Sequence, residues 1–269
     1  MLLAVDVGNT NITIGIFNNN RLVKKFSIVT KDVEKSVLLK EIFNKYPVTD
    51  TIICSVVPKV TKFLKTKIED ISASTVIVVG KDFKVPVKNL YRKPYQVGQD
   101  RLVNAYAGIV LYGKPLIAID FGTAVTFDVV NKKGDYWGGM ILPGLRISLE
   151  ALSSKTALLP RINLSKPKEF IGRDTKNSML SGIVYGFSAL TDDMIERIRG
   201  KIGSNAIAIG TGGNVAIVAK YCRKINKIDQ DLTLKGLNLI YKEYKLFQLN
   251  NFKSTAAPVA SLSTGCNAT

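Results

Sequence analysis

The sequence predicts an α/β fold made of two similar halves, and two observations carry that reading. Apolar strand-like runs alternate with segments of helical spacing, and one strand-turn-strand unit occurs twice. Strands are expected over residues 2–6, 12–17, 51–55, 75–80, 116–120, 125–130 and 206–210, short apolar runs bounded by turn-forming residues. Helices are expected over 33–45, 60–71, 101–112, 178–199, 214–221 and 232–244. The repeat is more informative than any single element. Leu3-Ala4-Val5-Asp6-Val7-Gly8-Asn9-Thr10 is echoed by Ile117-Ala118-Ile119-Asp120-Phe121-Gly122-Thr123-Ala124, and each copy continues into a second alternating strand. Those second strands end at Asn18-Asn19-Asn20 and Asn131-Lys132-Lys133-Gly134, as hairpins require. Gly113 to Pro115 end a helix just before the second copy, so the halves are expected to be residues 1–115 and 116–269.

An apolar strand that ends in Asp and turns tightly through Gly presents a carboxylate and several main-chain N–H groups to one point. Such a point suits a metal-bound polyphosphate: Gly8 and Gly122 allow close approach, and Asn9, Thr10, Asn11 and Thr13 add neutral hydrogen-bonding groups. Asp6 and Asp120 would hold a cation such as magnesium, directly or through water. A plain hairpin turn explains one copy as well as a phosphate site does, but not two copies with Asp, Gly and a hydroxyl at matching offsets. No Walker sequence and no G-x-G-x-x-G fingerprint occurs. Two further glycine runs remain open: Gly210-Thr211-Gly212-Gly213-Asn214 could floor a nucleotide or simply join strand to helix. Gly138-Gly139 through Gly144 could bend a strand past phosphates or turn a corner.

Composition removes several chemistries. The chain of 269 residues has no histidine, which excludes a Ser-His-Asp triad, a Cys-His pair and a histidine-ligated metal, so a general base must be Asp, Glu, Lys or Tyr. Cys54, Cys222 and Cys266 are too few and too scattered for a disulfide framework or a thiolate zinc site. The net charge of +17 comes from lysines spread along the chain rather than from one basic arm, which reads as a solvated surface and not as a specific nucleic-acid site. The opening run is interrupted by Asp6, too early for a signal peptide or a membrane span, so a cytoplasmic protein with no membrane partner is expected.

Taken in order, Asp6-Val7-Gly8-Asn9-Thr10, Ser55-Val56-Val57-Pro58, Gly98-Gln99-Asp100-Arg101, Asp120-Phe121-Gly122-Thr123-Ala124, Gly138 to Gly144 and Ile171 to Ser178 resemble the motifs of type III pantothenate kinases. That family lies within the acetate and sugar kinase, Hsp70 and actin superfamily. The resemblance implies duplicated actin-like ATPase (ribonuclease H-like) domains, with mixed sheets flanked by helices. It implies ATP-dependent phosphorylation of pantothenate in a homodimer whose sites draw on both subunits. By the same resemblance Asp100 is the catalytic base, and ATP contacts fall on Asp6, Val7, Gly8, Asn9, Thr10, Asn11, Ile12, Thr13 and Thr123. Tyr91, Gly98, Gln99, Asp100, Arg101 and Thr175 would meet the substrate, and Asp120 would bind a monovalent cation, K+ or NH4+, beside Mg2+. Gln99 departs from the family's usual small or apolar residue, which leaves the detail of the substrate pocket open. Asp100 and Arg101 can also be read as a helix cap and a surface ion pair, Tyr91 as loop packing and Thr175 as a cap. Two other functions stay open: a kinase of the same superfold acting on another hydroxy acid or sugar, and a non-catalytic regulatory relative. The tail over 253–269 is expected to fray.

Overall fold

Two five-stranded mixed sheets, each sheathed in helices, make up the molecule. This computed structural model describes residues 1–255. The first sheet contains β1 (Leu2–Val7), β2 (Asn11–Asn18), β3 (Arg21–Val29), β4 (Asp50–Ser55) and β5 (Thr75–Val78) in the spatial order β3-β2-β1-β4-β5. The second contains β6 (Leu116–Phe121), β7 (Ala124–Val130), β8 (Tyr136–Pro143), β9 (Ile207–Thr211) and β10 (Lys227–Ile228) in the order β10-β9-β6-β7-β8. The two orders are the same pattern written twice, with the repeated Asp-turn strands β1 and β6 at the centre of each sheet. Register repeats as well: Asp6 sits opposite Thr13 and Asp120 opposite Thr126. The two similar halves that the repeat predicts are present, in the duplicated actin-like ATPase arrangement that the family resemblance implies.

The helices are α1 (Leu38–Lys45), α2 (Pro58–Ile71), α3 (Gln99–Tyr112), α4 (Leu145–Lys155), α5 (Thr175–Ile202), α6 (Val215–Val218) and α7 (Leu232–Thr255). α1 and α2 cover the outer face of the first sheet, and α5 and α6 that of the second. α3 and α7 lie between the sheets, crossing closely enough that a side chain on Gly236 would strike Val103. Each of these two helices packs on the sheet of the other half. α3 packs on β6 and β7, and α7 packs on β1, β2 and β4.

Strand alternation decides what faces this inner helical layer. On β1, Leu3, Val5 and Val7 join the outer core, while Leu2 and Ala4 join the inner one, and Asp6 follows them inward by the two-residue period. On β6, Ile117, Ile119 and Phe121 face outward, and Leu116 and Ala118 face inward, so Asp120 follows them inward too. Both carboxylates therefore reach the same inner layer at the same ends of their strands.

Several expectations need correction. The single helix over 33–45 is a 3-10 turn over Thr30–Lys35 followed by α1, because Ser36 adopts extended backbone and its Oγ accepts the Leu38 N–H at 3.2 Å. Strands β3, β8 and β10 and helix α4 had no counterpart among the expected elements. β3 and β8 are edge strands, one lysine-bearing and the other glycine-bearing, and such strands lack the clean apolar alternation of half-buried ones. α7 runs on to Thr255, and the remainder of the tail, with Cys266, lies outside the described residues. Cys54 is buried and Cys222 half-buried, both as free thiols. Among the described residues no helix is long and apolar enough to cross a membrane.

Candidate active site

The two repeated turns meet. Thr10 and Thr123, at equivalent places in the two copies, share a hydroxyl hydrogen bond of 2.9 Å. In the first turn the Gly8 N–H donates to Asn11 O at 3.0 Å, and Thr30 clamps the loop from the side. Its Oγ1 donates to Gly8 O at 2.7 Å and its N–H to Thr10 O at 2.9 Å. Asn9, Thr10 and Asn11 are exposed at the tip, whereas Val7 and Ile12 are buried in the outer core, so those two offer only main-chain groups to a ligand. The second turn is buttressed by Gly144, whose N–H donates to Thr123 O at 3.1 Å, and by Asn214, whose Nδ2 donates to Phe121 O at 3.2 Å. The third glycine run thus packs directly on the second copy. Gly212 has φ +91, a conformation that suits glycine, and a side chain there would collide with the Asp120 carboxylate.

Behind the turns, Asp6, Asp100 and Asp120 stand close enough to repel one another. Burial pushes the Asp6 carboxyl up from 3.8 to about 8, with the charges of Asp100 and Asp120 adding to the rise. Asp120 is pushed up to about 7, first by burial and then by Asp100 and Asp128. Asp100 is also raised by burial, against the opposing pull of the Arg101 N–H and charge. Asp100 belongs to the first turn of α3, and Gly98 leaves room for its carboxylate, which a side chain at 98 would strike. One helical turn on, Asn104 Nδ2 donates to Asp120 Oδ2 at 3.3 Å, while Thr233 of α7 donates to Asn104 Oδ1 at 2.8 Å. One carboxylate group is thus assembled from β1, β6 and α3.

Arg101 is not a surface residue paired with Asp100. It is 7% exposed, and its Nε donates to Asp128 Oδ1 on β7 at 2.7 Å. Asp100 takes main-chain donors instead, the Arg101 N–H at 2.9 Å among them. Tyr91 lies against Gly138, whose Cα–H face it covers, and Gln99 folds over Gly80 at the end of the first sheet. Thr175 is apart from this group in the chain: it is exposed at the start of α5, and the cap of that helix is Asp174, whose Oδ1 accepts the Asn177 N–H at 2.8 Å. A cavity of about 600 Å³ between α5 and the β7–β8 edge, lined by Val129, Trp137, Met140, Met194 and Ile198, is mainly apolar and lies on the outer face of the sheet.

Sequence reasoning missed Asn104, Asp128, Tyr136 and Thr233. Asn104 had a signal, since it sits four residues after Asp100 and so shares its helix face. Asp128 had a weaker one, as the only acidic residue within the second alternating strand, and Thr233 had none.

Comparison with known proteins places this arrangement. A model described as type III pantothenate kinase matches residues 2–197. The chain belongs to that family. It is 41% identical over 254 residues to the type III pantothenate kinase of Citrifermentans bemidjiense, covering 91% of this chain and 100% of the relative. It is 41% identical over 251 residues to that of Geotalea uraniireducens, covering 90% of this chain and 98% of the relative. Among solved structures it is similar to the activator of the 2-hydroxyisocaproyl-CoA dehydratase from Clostridium difficile with bound ADPNP. That match has a TM-score of 0.55 at 12% identity and covers 97% of this chain and 99% of the other. It is also similar to MreB 5 of Spiroplasma citri bound to AMPPNP, with a TM-score of 0.54 at 14% identity, covering 93% of this chain and 98% of the other. At such identities the two structures speak for the fold alone.

Proposed function

We propose that this chain transfers the γ-phosphoryl group of ATP to the primary hydroxyl of pantothenate, the opening step of coenzyme A synthesis. The observation that carries the reading is the meeting of the two repeated turns over a half-buried group of three carboxylates, in a chain of this family. Phosphoryl transfer asks a protein mainly for positioning and charge stabilisation, and the site is organised for both.

The N–H groups of the two turns, with the Thr10 and Thr123 hydroxyls and the exposed Asn9 and Asn11, hold the phosphates of ATP. Thr13, Val7 and Ile12 shape the strands that carry the first turn. Asp6 faces the metal-bound phosphates and Asp120 a monovalent cation, K+ or NH4+. The donor set fits cations: burial and mutual repulsion have lifted both carboxyls far above their ordinary range, and a positive charge between them relieves the strain. Mg2+ would be held on the Asp6 side of the site, directly or through water, together with the phosphate oxygens it prefers. When bound, it offsets charge on the transferring phosphate.

Asp100 accepts the proton of the attacking hydroxyl. Its raised pKa brings its basicity nearer to neutral, where a general base works best. Arg101 receives the substrate carboxylate, with Tyr91, Gly98 and Gln99 around it. Thr175, exposed at the start of α5, meets the substrate as the family resemblance implies, and the working unit is a homodimer in the cytoplasm. The test is ADP release across a panel of pantothenate, acetate, sugars and other hydroxy acids, with magnesium and potassium present. Pantothenate should exceed every other acceptor by orders of magnitude; no turnover with pantothenate would overturn the substrate assignment.

A further inference from the structure

We infer that Asp128, held by Tyr136, is the positioning residue that sets the Arg101 guanidinium for the substrate carboxylate and keeps it off the Asp100 base. The inference rests on the reading that Arg101 binds that carboxylate. Asp128 is fully buried at 0% exposure in the middle of β7, on the inner face set by strand alternation. An isolated carboxylate there would be costly, and three donors converge on it. Arg101 Nε and Tyr136 OH donate to Oδ1 at 2.7 and 2.9 Å, and Thr126 Oγ1 donates to Oδ2 at 3.1 Å. Tyr136 is itself fully buried, and its ring lies 6.0 Å from the Arg101 guanidinium carbon.

The way Arg101 is gripped matters more than the fact that it is paired. Structural Arg–carboxylate pairs favour a two-pronged fork. Here the contact is through Nε, and Nη2 is left buried with no partner, the single such side-chain atom among the described residues. A buried donor without an acceptor is costly, and such a group calls for an explanation that a ligand supplying the acceptor provides. The next strand makes space for this arrangement. Gly139 sits opposite Asp128, and a Cβ at that position would lie 2.7 Å from Nη2. Tyr91, on the other substrate-facing segment, lies over the adjacent Gly138. The socket therefore holds one edge of the guanidinium and leaves the other for an anion.

Its second consequence concerns the neighbour. Arg101 directly follows Asp100, and a guanidinium free to rotate would find in Asp100 the nearest unpaired carboxylate. Asp128 occupies the side chain instead, so Asp100 keeps its main-chain donors and stays available to a hydroxyl.

The experiment compares steady-state kinetics of the whole enzyme with pantothenate and with its alcohol analogue, in which a hydroxymethyl group replaces the carboxylate. Asp128→Asn is expected to raise KM for pantothenate about tenfold to hundredfold, the range of one charge-assisted hydrogen bond, with KM for ATP unchanged. kcat should fall for acid and alcohol alike as Arg101 turns to Asp100, but KM for the alcohol should stay unchanged, so that selectivity for the carboxylate in kcat/KM falls by about the same factor. Tyr136→Phe, which removes one hydroxyl and keeps the ring, should move the ratio in the same direction by a few fold, and it serves if Asp128→Asn does not fold. Equal losses in kcat/KM for acid and alcohol, or an unaltered ratio in a folded variant, would overturn the inference and leave Asp128 as a structural pair. Arg101→Ala separates the two levels. If it raises KM for pantothenate and the Asp128 and Tyr136 variants do not, only the positioning role is lost; if it leaves KM unchanged, the reading of Arg101 falls and the inference with it.

Discussion

Replacing Asp6 by Asn should make the ligand-free protein more stable while making it a worse kinase. Asp6 is half-buried, and its carboxyl rises from 3.8 to about 8, because ionisation there means both losing water and facing Asp100 and Asp120. At about 1.36 kcal/mol per tenfold change in proton affinity, that rise bounds the ionisation cost at about 6 kcal/mol above pH 8. Asn carries no charge but buries an amide that needs partners, a cost of about 1–3 kcal/mol, so the net gain is about 3–5 kcal/mol. In a protein of this size that is roughly 6–20 °C in Tm. The sign follows from proton binding: below the unfolded-state value near 3.8 both states hold the proton, whereas between there and about 8 the folded state alone keeps it. Wild-type stability without ligand should therefore fall as pH rises from about 4 through 8, and the advantage of Asp6→Asn should be near zero at pH 5 and full at pH 9. Thermal denaturation across that range, with and without magnesium and ATP, is the assay. Saturating nucleotide should reverse the ranking, since the variant has lost a group that faces the metal-bound phosphates. A variant less stable than wild type at pH 9, or a difference independent of pH, would refute the account of three crowded carboxylates.

Asp100→Asn should lower kcat by about 10²–10⁴, the usual worth of a general base, and leave KM for ATP within a few fold; near-normal turnover would remove the base assignment. Gly212→Ala places a side chain against the Asp120 carboxylate at φ +91 and should cost about 2–4 kcal/mol, with weaker activation by potassium, both read from melting curves and a cation titration. Gly236→Ala should cost about 1–3 kcal/mol, because its Cβ would lie 2.7 Å from Val103 Cγ1 at the α3–α7 crossing; denaturant unfolding showing no loss would mean that the crossing is not tightly packed.

What the sequence by itself determined is whatever is written into a short stretch of chain. The Asp-turn unit could be recognised twice because a strand, a glycine and a hydroxyl keep their offsets whatever surrounds them, and the helix opened by Gly98-Gln99-Asp100-Arg101 is visible for the same reason. The matching sheet orders follow from that duplication. Only the tertiary structure decided which distant groups share a space. The inner faces of β1 and β6 come together because α3 and α7 pack between the sheets, and no local pattern states that a C-terminal helix will cover the first sheet. The same packing gives Arg101 a partner 27 residues away in Asp128 rather than the Asp beside it, and it brings Thr233 to Asn104 across 129 residues. The pairing of a buried charge is settled by what else is buried with it, and that is a property of the assembled core rather than of any segment.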